Sequence, residues 1–210
     1  MATFDFKKEY KELYLPKTKP MIINVPSMQF IMINGKGDPN VSPLYKEAVE
    51  ILYGLSYTIK MNKNRPEGYF EYVVPPLEGL WWFENNFFDG TVIGRKHEFS
   101  WIMMIRQPDF VTPDVFEMAK QILSRKKPKL DVSKARFENF TEGLCGQIMH
   151  IGSYDEEAPT VQVLEEFINS EGYQTKMEGM RQHHEIYIGD PRKTAPEKLK
   201  TVIRHPIIKR

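Results

Sequence analysis

Phe30-Ile31-Met32-Ile33-Asn34-Gly35 and Gln147-Ile148-Met149-His150-Ile151-Gly152 are two versions of one phrase, an apolar strand ending on glycine. Each runs through a short polar loop into a proline-led helix, at Ser42-Pro43 in the first half and Ala158-Pro159 in the second. The halves also close alike, on Ile105-Arg106-Gln107-Pro108 and Ile203-Arg204-His205-Pro206. A duplicated unit has a seam between its copies, and small-molecule sites tend to form at such joints.

Working outward, Ser42 is an N-cap and Pro43 a first helical residue. Leu44, Ala48, Ile51, Leu52, Leu55 and Ile59 follow at helical spacing. Phe70 to Val74 and Leu77 to Phe83 read as extended pieces separated by Pro75-Pro76, a pair that a central strand cannot hold. Phe99 to Ile105 is a further strand, and Thr112-Pro113 opens a helix through Val115, Ala119 and Ile122. In the second half Phe137 to Ile151 is extended. A helix from Pro159 carries Leu164, Phe167 and Ile168 and stops at Gly172. Arg181 to Ile188 is a strand, Thr194 and Glu197 have capping-box spacing for a short helix, and Thr201 to Arg204 closes the sheet. Each half thus reads strand, helix, strand, strand. The class is α+β, an antiparallel sheet with helices on one face and the other face free to line a groove.

Residues 1–20 read as an N-terminal arm, with a short charged helix from Lys7 to Leu13 stopped by Pro16 and Pro20. Residues 21–210 form one domain, with module one at about 21–127 and module two at about 135–210. The basic run Arg125-Lys126-Lys127-Pro128-Lys129 is a solvated linker between them.

With 29 Lys plus Arg against 28 Asp plus Glu, the 210-residue chain has a net charge of +1. That balance supplies no electrostatic reason for a nucleic-acid or membrane partner. Cys145 is the single cysteine, which rules out an internal disulfide and fits a cytoplasmic setting. The charged start, Phe4-Asp5-Phe6-Lys7-Lys8-Glu9-Tyr10, is unlike a signal peptide, and no apolar run reaches the ~18 residues a membrane helix needs. Aromatics cluster instead, at Trp81-Trp82-Phe83 and Phe87-Phe88, as a ligand cleft would require. A homodimer is compatible with the sequence.

The chemistry-bearing stretch is His183-His184-Glu185-Ile186-Tyr187-Ile188. Strand alternation puts Ile186 and Ile188 on one face and His183, Glu185 and Tyr187 on the other. If the isoleucines pack under a helix, Glu185 and Tyr187 look into the groove. A carboxylate on an aromatic wall loses hydration, which suits it to acid–base work or to attracting a cation. The bland alternative is an edge glutamate in water. In Pro75-Pro76-Leu77-Glu78-Gly79-Leu80-Trp81-Trp82-Phe83, Glu78 and Trp82 share a face and offer a charge beside a flat wall, while Trp81 points to the core. His150 and Tyr154 are further hydrogen-bond donors for the same groove, although a lone strand histidine is more often structural. Cys145 has no readable base partner. His183-His184-Glu185 lacks the second histidine of a zincin, so neither a metal nor a cofactor is expected.

These residues together resemble the GyrI-like small-molecule-binding family. The resemblance rests on Pro76 to Trp82, Glu142-Gly143 leading to Gln147 through Gly152, His183 to Ile188, and Leu199-Lys200-Thr201-Val202-Ile203-Arg204. It implies tandem modules about a pseudo-twofold axis with an aromatic central cleft, as in the effector-binding domains of multidrug-sensing regulators. Some free-standing members resemble hydrolases of cyclopropanoid cyclohexadienone toxins. On that likeness Glu185 is a general base and Glu78 a second catalytic carboxylate. Trp82, Trp81, Tyr187, His150, Tyr154 and His183 are then ligand-binding residues. A detoxifying hydrolase and a non-catalytic drug-binding protein both fit these residues.

Overall fold

The computed structural model of the chain describes residues 3–84, 95–191 and 193–210; Phe87 and Phe88 lie outside the described residues. Module one comprises β2 (Met21–Lys36), α3 (Pro43–Lys60), β4 (Leu77–Phe83) and β5 (Phe99–Arg106), followed by α4 (Pro113–Lys126). Module two repeats the plan with β6 (Arg136–Ile151), α5 (Ala158–Ser170), β8 (His183–Tyr187) and β9 (Lys200–Lys209). The proline-led helix starts arise as their sequences require: the Ser42 and Thr112 side chains accept the Tyr45 and Val115 backbone N–H groups. Thr194 caps nothing, because the short turn there starts at Pro196 behind Ala195. A capping box instead joins Ser153 and Glu156.

The strand order β6-β2-β5-β4-β8-β9 closes when β9 pairs β6, so the six long strands form an antiparallel barrel. Each half contributes its strands in the same first-third-second order, which makes the ring palindromic about two seams. One seam is β2–β6 and the other is β4–β8. A short strand, β7 (Tyr173–Thr175), extends β9 at its edge. Closure leaves none of these six strands with an unpaired edge.

Helices cover the outside. Tyr45 of α3 packs against Trp81 and Trp101, with ring centroids 6.1 and 5.4 Å apart. Ala48, Ile51, Leu52, Leu55 and Ile59 are buried as the spacing predicts, but Leu44, at the first turn, is 52% exposed. α5 seals a second apolar cluster of Ile148, Val161, Leu164, Ile168, Ile203 and Ile207. Gly146 permits that contact, since a Cβ there would lie 2.7 Å from Ile168.

The N-terminal residues form β1 (Phe4–Asp5), paired with β3 (Tyr72–Val73), then two short helical turns, α1 (Phe6–Glu9) and α2 (Lys11–Tyr14). This stretch is packed into the fold: Phe6, Leu13 and Tyr14 are buried. Tyr14 donates to Glu78 at 3.4 Å, and Gln147 donates to the Glu12 carbonyl at 2.6 Å. Among the described residues no helix is long and apolar enough to cross a membrane.

Candidate functional site

Register decides which side chains can meet. Across the β4–β8 seam Glu78 pairs with Ile186, Gly79 with Glu185, Leu80 with His184 and Trp81 with His183. Paired residues share a face, so Glu185, His183 and Tyr187 lie with Gly79 and Trp81. Next door, Glu185 pairs with Ile203, which sits beneath α5. Glu185 therefore belongs to the outer, helix-covered side. Ile186, Glu78, Leu80, Trp82 and His184 face the barrel interior. This reverses the expectation that Ile186 packs under a helix while Glu185 looks away from one. It also parts Glu78 and Trp82 from Glu185, because neighbours along a strand point to opposite faces.

Inside the barrel is a buried ionic network. His184 Nδ1 lies 2.9 Å from Glu142 Oε1 and its Nε2 lies 3.1 Å from Glu78 Oε2. Arg204 donates to Glu142 at 3.2 Å, to Gln147 at 2.8 Å, and to the Leu13 carbonyl. Burial works against charge on His184, but Glu142 and Glu78 outweigh it and push its pKa up to about 9. Burial likewise opposes ionisation of Glu142, and His184 and Arg204 outweigh it and bring it down to about 2. Glu142 reaches this interior through Gly143, whose φ of +74° interrupts the strand's alternation. Glu78 is thus held in a fully partnered structural cluster. Cys145 is buried here too, and burial pushes its thiol up, away from the reactive thiolate.

On the outer face, Glu185 is 9% exposed at the seam between the modules. His183 Nε2 is 3.2 Å from Glu185 Oε1 and 3.9 Å from Glu157 Oε2. Glu157, His183 and Glu185 can each bring one polar atom within 4.8 Å of the others. One positive charge, a proton or the head of a cationic ligand, could serve all three. Glu157 Oε1 is buried and has no hydrogen-bond partner among the described residues. Burial, helped by Glu185 and Asp155, lifts the Glu157 carboxyl well above the usual carboxylate range. Burial also depresses His183 to about 4, so its imidazole is neutral near pH 7.

Aromatic groups surround these carboxyls. Trp81 Nε1 donates to Tyr187 Oη at 3.0 Å, and Tyr154 meets Tyr187 edge-on with centroids 5.5 Å apart. Burial and the Glu185 charge raise the phenols of Tyr45, Tyr154 and Tyr187, which keeps them as O–H donors. Tyr154 reaches about 12. His150 stands apart from these groups. Its Nε2 bonds the Ser153 carbonyl at 3.0 Å and its Nδ1 bonds Thr160 at 2.8 Å, fixing the turn that delivers Tyr154 and Glu157. One open surface hollow lies along the N-terminal helices near Lys8, Tyr10 and Glu12.

Glu157, Tyr45, His205 and Glu165 escaped the sequence reading. Glu157 had a visible signal, an acid directly before a proline-led helix, where Ser42 stands in the first module. The other three had none, since only tertiary packing brings them to this face.

A family model described as GyrI-like small molecule binding domain matches residues 18–208. Two solved proteins from Listeria innocua are similar over nearly the whole chain. One, an uncharacterized conserved protein, is 45% identical with a TM-score of 0.91, covering 98% of this chain and 100% of its own. The other, a hydrolase, is 44% identical with a TM-score of 0.87 and the same coverage. The C-terminal domain of EcmrR, 11% identical with a TM-score of 0.55 over 91% of this chain and 98% of its own, shares the fold. No curated protein matches the sequence.

Proposed function

We propose, from the premise that this chain belongs to the GyrI-like small-molecule-binding family, that Glu185 and the rings around it bind and hydrolyse a hydrophobic electrophile of the cyclopropanoid cyclohexadienone class. One observation carries this reading. The nearly buried Glu185 carboxyl, a second carboxyl whose pKa burial raises, and three phenols whose pKa values burial raises converge on one seam. The similar hydrolase from Listeria innocua supports it.

In the proposed reaction the flat substrate lies against the aromatic side chains, which exclude bulk water. Glu185 takes a proton from a water that attacks the strained ring carbon, and the C–C bond of the cyclopropane breaks. Its electron pair moves onto the dienone oxygen as the ring becomes aromatic. A neutral phenol, Tyr187 or Tyr154, donates to that developing oxyanion, and Glu157 is the proton-bearing group at hand to neutralise it. Glu78 takes no part, because it is committed to His184 and Tyr14 on the other face.

Purified protein incubated with a cyclopropanoid cyclohexadienone should yield the water adduct, seen by mass spectrometry as a gain of one water. A panel of such compounds left unopened, yet bound, would instead make the protein a non-catalytic binder of lipophilic or cationic molecules.

A further inference from the structure

Beyond the groups used above, His183 leads away from Glu185 in an unbroken file. His183 Nδ1 is 2.7 Å from His205 Nε2, and His205 Nδ1 is 2.5 Å from Glu165 Oε1. Both rings are fully buried, whereas the Glu165 side chain, on α5, is 26% exposed. Thr175 donates to both Glu165 oxygens at 2.7 and 2.8 Å, holding the outer end in place. The file therefore runs from the candidate site, between sheet and helix, to a carboxylate that meets solvent.

We propose that Glu185, His183, His205 and Glu165 form a proton relay that sets the charge on Glu185 from the partly exposed carboxyl of Glu165. With a single N–H on each ring, the two imidazoles can bridge two carboxyls only when both point the same way. With protons on both Nδ1 atoms, His205 donates to ionised Glu165, His183 donates to His205, and Glu185 must be the acid that donates to His183 Nε2. With protons on both Nε2 atoms, Glu185 is the ionised acceptor and Glu165 holds the acid proton.

One concerted shift joins the two states. The Glu185 O–H proton passes to His183 Nε2, the His183 Nδ1 proton to His205 Nε2, and the His205 Nδ1 proton to Glu165. Three bonds to hydrogen break and three form, so one proton moves outward with no change in total charge. Among the described residues, Glu157, Glu185 and the His184 charge act on His183, and Thr175 holds Glu165. Glu165 and His205 touch no substrate in this scheme. They are positioning residues that let Glu185 regain its base form through the buried file. The catalytic meaning of the relay rests on the hydrolase reading, but its existence does not.

The test uses full-length protein labelled with 15N-histidine. The ring nitrogens of His183 and His205 should report the same tautomer and change together on titration. In Glu165→Gln, which keeps a hydrogen-bonding group but cannot accept a proton, that joint change should disappear. With a cyclopropanoid probe, kcat should fall at least ~10-fold while KM stays within about twofold, a smaller loss than the ~10²-fold typical of removing the base itself. Opposite tautomers on the two rings, or a Glu165→Gln protein with unchanged ring shifts and pH–rate profile, would overturn the relay. If the unaltered protein gives no turnover, the hydrolase reading fails and the tautomer measurement still decides the relay.

Discussion

Gly79 stands directly opposite Glu185 across the seam between the two modules. Its missing side chain is what lets the Trp81 indole lie back over the strand, since a Cβ there would sit 2.6 Å from Trp81 Nε1 and 3.1 Å from Met103 Sδ. The same nitrogen donates to Tyr187. A glycine on one strand thus arranges the aromatic side chains around a carboxylate on the next.

Gly79→Ala should displace the indole and break the Trp81–Tyr187 hydrogen bond. Overpacking of this kind costs about 1–3 kcal/mol. Urea unfolding would read the stability and near-ultraviolet circular dichroism the ring environment. An unchanged aromatic spectrum would show that the ring does not depend on this glycine.

Glu185→Gln keeps the shape of the side chain and removes its charge and basicity. Turnover of a cyclopropanoid probe should drop by at least ~10²-fold with affinity for the intact probe nearly unchanged. The binder alternative gives the opposite pattern, with affinity for a lipophilic cation lost. Calorimetry beside product analysis separates them.

The interior network has a definite pH signature. His184 has a folded pKa of about 9 against its ordinary 6.5. The stabilisation it gives is complete below pH 6.5 and is lost as the pH rises through 9. Glu142, at about 2 against 4.5, stabilises above pH 4.5 and loses that effect as the pH falls towards 2. His184→Gln should therefore be less stable at pH 6 and lose much of the alkaline decline between pH 6.5 and 9. Parallel stability–pH curves for variant and parent would refute the assignment.

Tyr14 fastens the N-terminal segment to the network through Glu78, next to the Leu13 carbonyl that Arg204 holds. Tyr14→Ala empties a fully buried ring site and should cost about 3–5 kcal/mol, as large-to-small aromatic changes do. Chemical denaturation measures it, and a loss under ~1 kcal/mol would mean that the segment contributes little.

Much of the local architecture was written in the chain. Leu77 to Phe83 is the span of β4, and the three proline-led helices begin within a residue of the expected place. The paired phrases do mark two copies of one module. Glu185 and Tyr187 also share a face with His183, as period-two alternation requires.

Alternation settles which residues stand together, but not which side of the sheet faces helices and which faces the barrel. That choice came from pairings made far apart in the chain, Val25 with Gly143 and Gly79 with Glu185. Closure followed from them, and with it the separation of Glu78 from Glu185. At Gly143 even the alternation failed, because one left-handed residue turned Glu142 inward to meet Arg204. Local sequence fixes backbone period through sterics within a few residues. The burial of a charge, by contrast, depends on groups that only the finished barrel brings together.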